Sequence, residues 1–470
     1  MKKNKRLTLT VIISLLIILC CIYASKLHMS TSTNNQQAEN SENLDLASDE
    51  ISEDVLNSLD SYNRIANSEN KDLRKFIYPY NSMLAFSSDI DDATLEEFKT
   101  YHKFLNTKEE TPYGEGLGLD VGDSMWMYMA NDSKDTVDSH GNGVSNIMTF
   151  YKGTDTTQKH NADEITKFIN AGWIDSLHTL GDFSTDNETG TSFNRQLAID
   201  SWNELKSINS KLTIWIDHGN RSNQQNFGAH GTSKFMNYQQ GDNPQSSCYH
   251  TDLTLDNGVK YIWNSISDDK FGHEDPLYKI SLRDGRKVWG FHRYTNETVK
   301  GKTDWTWYPE NLDRQLTQSH LDSVVENNQY SIVTQHFGVH AELLFSEKSI
   351  KALRMLKDYE TNGKIIVAKT SRLLNYANVH KNLSYVKATE NDKTYINIDC
   401  IDDPIFGKRI PTLDDIRGIT FYCDYPEKTV LLLNKSKIDQ NEIQINPEDE
   451  TGKKSISIKW FKPDYTDYSK

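Results

Sequence analysis

Cysteine is scarce in this chain: there are five in 470 residues, and Cys20 and Cys21 fall in an N-terminal apolar run. Cys248, Cys400 and Cys423 remain, too few for a disulfide framework and without the paired spacing of a thiolate zinc site. Cys400 and Cys423 lie in two strand-like segments of one C-terminal region. They either pair in an oxidising compartment or stay as buried thiols. An excess of basic charge is also missing. The 52 Lys and Arg against 67 Asp and Glu give a net charge of −15, and setting aside Lys2, Lys3, Lys5 and Arg6 takes it to −19. A nucleic-acid binder needs a basic footprint, so no nucleic-acid partner is expected. Strongly anionic polymers are a poor match for the same reason. The N-terminus lacks a small-x-small cleavage site, and Leu19 before Cys20 is too large for a lipoprotein junction.

What the N-terminus has is an apolar run from Leu7 to Ala24 behind four cations. At about 1.5 Å per residue it nearly crosses a hydrocarbon core of roughly 30 Å, and the basic flank stays cytoplasmic. The reading is an uncleaved signal anchor over 1–25, touching the membrane through residues 7–24. It implies a single-pass location in the cell membrane with the rest of the chain extracytoplasmic. A cleaved signal peptide is the alternative. Residues 26–74 are polar and read as a linker, with Ile51, Val55, Leu59 and Tyr62 at helical spacing.

From about residue 75 short apolar runs alternate with helical patterns. Strands are expected over 82–89, 174–179, 212–219, 259–265, 287–294, 330–337 and 364–370. Helices are expected over 94–105, 161–172, 193–208, 309–327 and 346–363. Strands alternating with helices point to a parallel sheet buried on both faces, and about seven repeats predict a distorted (β/α)7 barrel over 75–380. After 381 helical patterns stop and alternating apolar and polar positions predict an antiparallel β module over 381–470. The fold class is therefore α/β, with a β-rich accessory module.

In such folds chemistry sits at the carboxyl ends of the strands. Asp89, Asp91 and Asp92 follow the first apolar run, His178 and Asp182 the second, Asp217, His218 and Arg221 the third, and His336 a late one. Clustered carboxylates repel unless a cation joins them. His178 and Asp182, four apart, share one face of a helical turn and can grip one ion. A carboxylate from the first strand completes three ligands, an oxygen-rich set suited to Zn²⁺, Mn²⁺ or Co²⁺. A second carboxylate near the ion can deprotonate a water, and His336 opposite can protonate a leaving group.

The order of these pieces resembles the polysaccharide deacetylases of carbohydrate esterase family four, over roughly 80–370. Their first motif, an apolar strand ending in Asp-Asp-Gly, is matched by Asp89-Ile90-Asp91-Asp92-Ala93. Their His-Ser/Thr-x-x-His motif is matched by "HTLGD", with Asp182 in place of the second His. Their late apolar-x-His is matched by "VTQHFG". The resemblance implies Asp91 as catalytic base, Asp92, His178 and Asp182 as metal ligands, and His336 as general acid. Ala93 stands where the motif has Gly, and the family's Arg-x-Pro motif is absent. Asp217, His218 and Arg221 stand in that region and are candidates for holding the base.

Asp89, His218, Arg221, His292 and Arg293 are read as substrate contacts, and Trp305 and Trp307 as the lining of a sugar cleft. Each also has a bland reading: Asp89 as a turn cap, Asp91 or Asp92 as an N-cap of the helix near Thr94, the aromatics as packing. The expected activity is metal-dependent removal of N- or O-acetyl groups from a cell-surface or extracellular glycan. The carbohydrate partner would be a polymer or a lipid-linked oligosaccharide. The alternatives are a metal-independent glycoside hydrolase and a catalytically degenerate glycan-binding or assembly protein.

Overall fold

The run Ser82–Ser88 carries no charge and is buried at every position, as a strand covered on both faces must be. In the computed structural model it forms β1, the middle of a three-stranded parallel sheet. The structure describes residues 51, 53–62, 64–66, 72–132, 143–183, 192–338 and 344–470, and Ser52–Lys470 form one unit. The strands that position the site are, in chain order, β1 (Ser82–Ser88), β2 (Ser176–Leu177), β3 (Ile214–Ile216), β4 (Tyr261–Trp263), β5 (Leu277–Ser281), β6 (Lys287–Phe291), β7 (Tyr330–Gln335) and β8 (Ile365–Val367). One sheet has the order β7-β1-β8, all parallel. The other has the order β2-β3-β4-β6-β5, parallel except for β5.

The longer helices are α1 (Leu95–Asn106), α2 (Ala162–Ala171), α3 (Arg195–Ser207), α4 (Gln318–Glu326), α5 (Glu347–Thr361) and α6 (Thr370–Asn382). Thr94 caps α1: its hydroxyl accepts from the Glu97 N–H at 3.3 Å, and Glu97 accepts in return from the Thr94 N–H at 2.9 Å. This capping box satisfies the helix start, so neither Asp91 nor Asp92 serves as the cap.

The expectation of a (β/α)7 barrel is not met. The parallel strands fall into two sheets of three and five, and only isolated bridges such as Ser88 to Asp123, Asp123 to Ile174 and Tyr294 to Val333 connect them. The β/α alternation also breaks. β4 is followed not by a helix but by the antiparallel hairpin β5–β6, turning at Arg283-Asp284-Gly285. The Asp-Gly pair in this turn favours the hairpin over a helical connection. The architecture is a mixed α/β assembly with several small sheets.

Beyond α6, Leu383–Glu390 and Lys393–Asp403 pair antiparallel, with Ile65–Ala66 on the outer edge and Thr429–Leu433 parallel on the other side. A second small sheet joins Leu73–Arg74, Thr420–Tyr422, Ser455–Ile458 and Ile443–Asn446. Ile214, Trp289 and Ile366 share one apolar core with Ile396 and Phe421 of these sheets. Cys248, Cys400 and Cys423 are unpaired.

The single-pass membrane location expected from the sequence is likewise not supported: among the described residues no helix is long and apolar enough to cross a membrane. The run 7–24 on which that expectation rested lies outside the described residues.

Candidate metal centre

Register brings the chemical groups together. Ser88 pairs with Gln335 in the parallel ladder of β1 and β7, so the next residues, Asp89 and His336, leave the sheet side by side. Leu177 pairs with Trp215, so His178 leaves β2 next to Ile216 and close to His218, two residues past the end of β3. All four therefore emerge at carboxyl ends of parallel strands.

Asp91 lies at the centre. Its Oδ1 is 2.9 Å from His178 Nε2 and 3.6 Å from His218 Nδ1, and its Oδ2 is 3.2 Å from His336 Nδ1. His218 Nδ1 is also 3.0 Å from His178 Nε2. The ligand atoms of Asp91, His178 and His218 all lie within 4.8 Å of one another. His178 Nδ1 faces the Ile216 carbonyl at 3.2 Å. A carbonyl only accepts, so Nδ1 carries the hydrogen and Nε2 of the neutral ring turns a lone pair toward a carboxylate oxygen. That contact is repulsive unless positive charge occupies it, as a proton or a metal ion. A carbonyl holding the far nitrogen of a histidine is also the usual way a metal ligand is oriented. Trp126 fixes the other side, its indole 4.5 Å from the His178 ring and its Nε1 donating to the Asp91 carbonyl at 3.1 Å.

Beside this triad is a buried ion pair. Arg293, with 0% exposure, donates from Nη1 and Nη2 to the two oxygens of Asp89, each at 2.9 Å. Its Nε donates to Thr334 Oγ1 at 2.9 Å, and its guanidinium lies 4.3 Å above the Trp263 ring. His336 Nε2 is 3.4 Å from Asp89 Oδ2, so His336 bridges Asp89 and Asp91. Burial pushes the Asp89 carboxyl up, but Arg293, then His178 and His336, hold it well below the ordinary carboxylate range. Asp91 is likewise raised by burial and lowered further by His336, His178 and His218. Burial lowers His336, and the two carboxylates outweigh that and leave it raised. Trp307 stacks on His336 at 5.3 Å, and Trp305, 43% exposed, stacks on Trp307 at 4.5 Å. The Trp307 Nε1 is buried and without a hydrogen-bond partner.

Several expected roles change. Of the trio Asp92, His178 and Asp182, only His178 belongs to the close cluster; Asp91 and His218 complete it. The helical turn expected across His178 and Asp182 does not form. Thr179 has φ +55°, a left-handed conformation unusual for a β-branched residue, and Asp182 N–H is bonded to the Tyr128 carbonyl. Asp182 comes to lie 3.8 Å from His218 Nε2 as a neighbour of that ligand. Asp92 is half-buried and outside the triad. Arg293, expected to touch substrate, is sealed inside and holds Asp89; of Asp217, His218 and Arg221, considered for holding Asp91, His218 lies 3.6 Å from it. Asp217 is buried against Trp215 Nε1 and Gln239 Nε2, and burial pushes its carboxyl well up. Arg221 is exposed, over the Phe235 ring. His292 joins a different cluster, with Asp268 and His273. Where the resembling motif has Gly, the Ala93 methyl packs on Gly338, and a Cβ at 338 would come 2.2 Å from it.

Comparison of the chain with models of known protein families, with curated proteins and with solved structures gave no match.

Proposed function

We propose that this protein is a metal-dependent hydrolase that removes acetyl groups, as amide or ester, from a glycan polymer or a lipid-linked oligosaccharide. Asp91, His178 and His218 are its ligands for Zn²⁺, Mn²⁺ or Co²⁺. The observation that carries the reading is the His178 Nε2 lone pair aimed at Asp91 Oδ1 from 2.9 Å, with His218 Nδ1 3.0 Å from the same nitrogen. Two imidazoles and one carboxylate suit these borderline ions, and three protein ligands leave room for water and substrate. A divalent ion bound there would polarise a carbonyl and bring the pKa of a water toward about 7.

The chain's own groups supply the rest. Asp89, locked at both oxygens by Arg293, keeps lone pairs free to accept the proton of the attacking water. A bound ion would make that water more acidic and so lower the demand on the carboxylate that accepts its proton. His336 protonates the departing amine or alcohol. Its Nε2 lies 3.4 Å from Asp89 Oδ2, one step from the proton just removed. Asp89 thus replaces Asp91 as the base. The exposed face of Trp305, continuous with Trp307 and His336, offers a stacking platform for a sugar ring.

The test is acetate release from N- and O-acetylated glycans by the full chain. Release should stop with EDTA and return with Zn²⁺, Mn²⁺ or Co²⁺. Hydrolysis indifferent to EDTA would point instead to a metal-free glycosidase. A metal-loaded protein that frees no acetate from any such glycan would leave a binding scaffold.

A further inference from the structure

Asp268, His273 and His292 form a second group outside the site just described. Asp268 and His273 lie on the segment between β4 and β5, and His292 immediately follows β6. Asp268 Oδ1 accepts the Lys270 N–H at 2.9 Å, an Asx-type turn that leaves Oδ2 to the imidazoles. His273 Nε2 is 2.9 Å and His292 Nδ1 2.8 Å from that one oxygen. The two rings are stacked, 4.1 Å apart and 10° from parallel. His273 Nε2 is buried and makes no directed hydrogen bond despite the short approach. Burial pushes the Asp268 carboxyl up, and the His273 and His292 contacts more than reverse this.

A neutral His292 Nδ1–H can donate to Asp268 Oδ2, but His273 Nε2, 2.9 Å from the same oxygen, is buried and not aimed along a hydrogen bond, so its nitrogen is left without a partner. Protonating both rings would set two cations face to face at 4.1 Å, whereas one divalent ion takes both lone pairs and the oxygen at once. We propose that Asp268, His273 and His292 bind a second borderline divalent ion of the Zn²⁺ class, with imidazole favouring it over Mg²⁺ or Ca²⁺. It is not the second metal of a two-metal centre, which requires a spacing of roughly 3.5–4 Å. His273 pairs with Tyr330 at the start of β7, whereas His336 follows its end, about 20 Å away at roughly 3.3 Å per residue. The ion acts as a clip. It ties the β4–β5 segment to the end of β6, one residue before Arg293, and so steadies the arm that holds Asp89. His292, about a third exposed, gives the ion a way in.

The assignment is independent of the first site and is tested without it. In full-length protein carrying His178→Ala and His218→Ala, titration with Co²⁺ should give one bound equivalent with visible d–d absorption. Adding His273→Ala, or separately His292→Ala, should weaken that binding at least tenfold. Melting curves establish that each variant is folded. Should an alanine variant fail, Asp268→Asn decides, since it keeps the size of the side chain and an acceptor for the Lys270 N–H; it too should bind at least tenfold more weakly. No Co²⁺ bound in the doubly substituted background, or affinity within twofold after the further substitutions in folded protein, would overturn the proposal.

Discussion

The molecule contains two constellations of the same composition, one carboxylate and two imidazoles, in unlike surroundings. Asp91, His178 and His218 stand at the carboxyl ends of parallel strands, with a locked carboxylate, a third histidine and a row of indoles within reach. Asp268, His273 and His292 stand instead beside the Lys270 amide, the Thr295 hydroxyl and the Tyr278 ring, 4.9 Å from His292. The candidate ligand sets are therefore the same and their surroundings are not. In the proposed reading, what would separate a reactive centre from a structural one is the second carboxylate, Asp89, and the buried arginine that fixes it.

Substitutions can break this comparison. The largest effect is expected for His178→Ala: loss of the first ion and a fall in acetate release of about a thousandfold or more, read by metal analysis and acetate assay. His273→Ala should alter release only a few-fold, and similar losses in both would erase the distinction drawn between the sites. Next comes Asp89→Asn. It should keep the first ion yet lower kcat by roughly 10²–10⁴, and a variant retaining full kcat would remove Asp89 from the chemistry. Arg293→Met leaves a buried carboxylate unpaired, which typically costs about 3–5 kcal/mol, visible as a lower denaturation midpoint along with a fall in kcat. Trp305→Ala should be milder: KM rises roughly tenfold, about 1.4 kcal/mol of stacking, with kcat nearly unchanged. The smallest is Gly338→Ala. Its methyl meets Ala93 at 2.2 Å, and the displaced 336–338 segment should reduce kcat several-fold without changing metal content.

The strand positions were legible because uncharged β-rich runs such as Ser82–Ser88 and Tyr330–Gln335 have few alternatives to burial. Placement of acids and imidazoles after those runs was legible for the same reason. Closure was not, because whether short strands such as Ser176–Leu177 extend one ladder or end it depends on pairings far along the chain. The helical turn expected across His178 and Asp182 was not legible as absent: a left-handed Thr179 bears no sequence mark, and it turns Asp182 away from the position a helical turn would give it. The Asp89–Arg293 pair spans 204 residues, and no local pattern announces it. Asp268 and His273 carry no local signal because they sit on a loop between strands, where periodicity has nothing to report.

The most direct test of the central claim is anomalous diffraction from crystals of the full chain soaked in Zn²⁺. The account predicts a peak bounded by Asp91, His178 and His218, at about 2.0–2.2 Å from their ligand atoms. A peak held instead by Asp92 and Asp182, or none near His178, would contradict it.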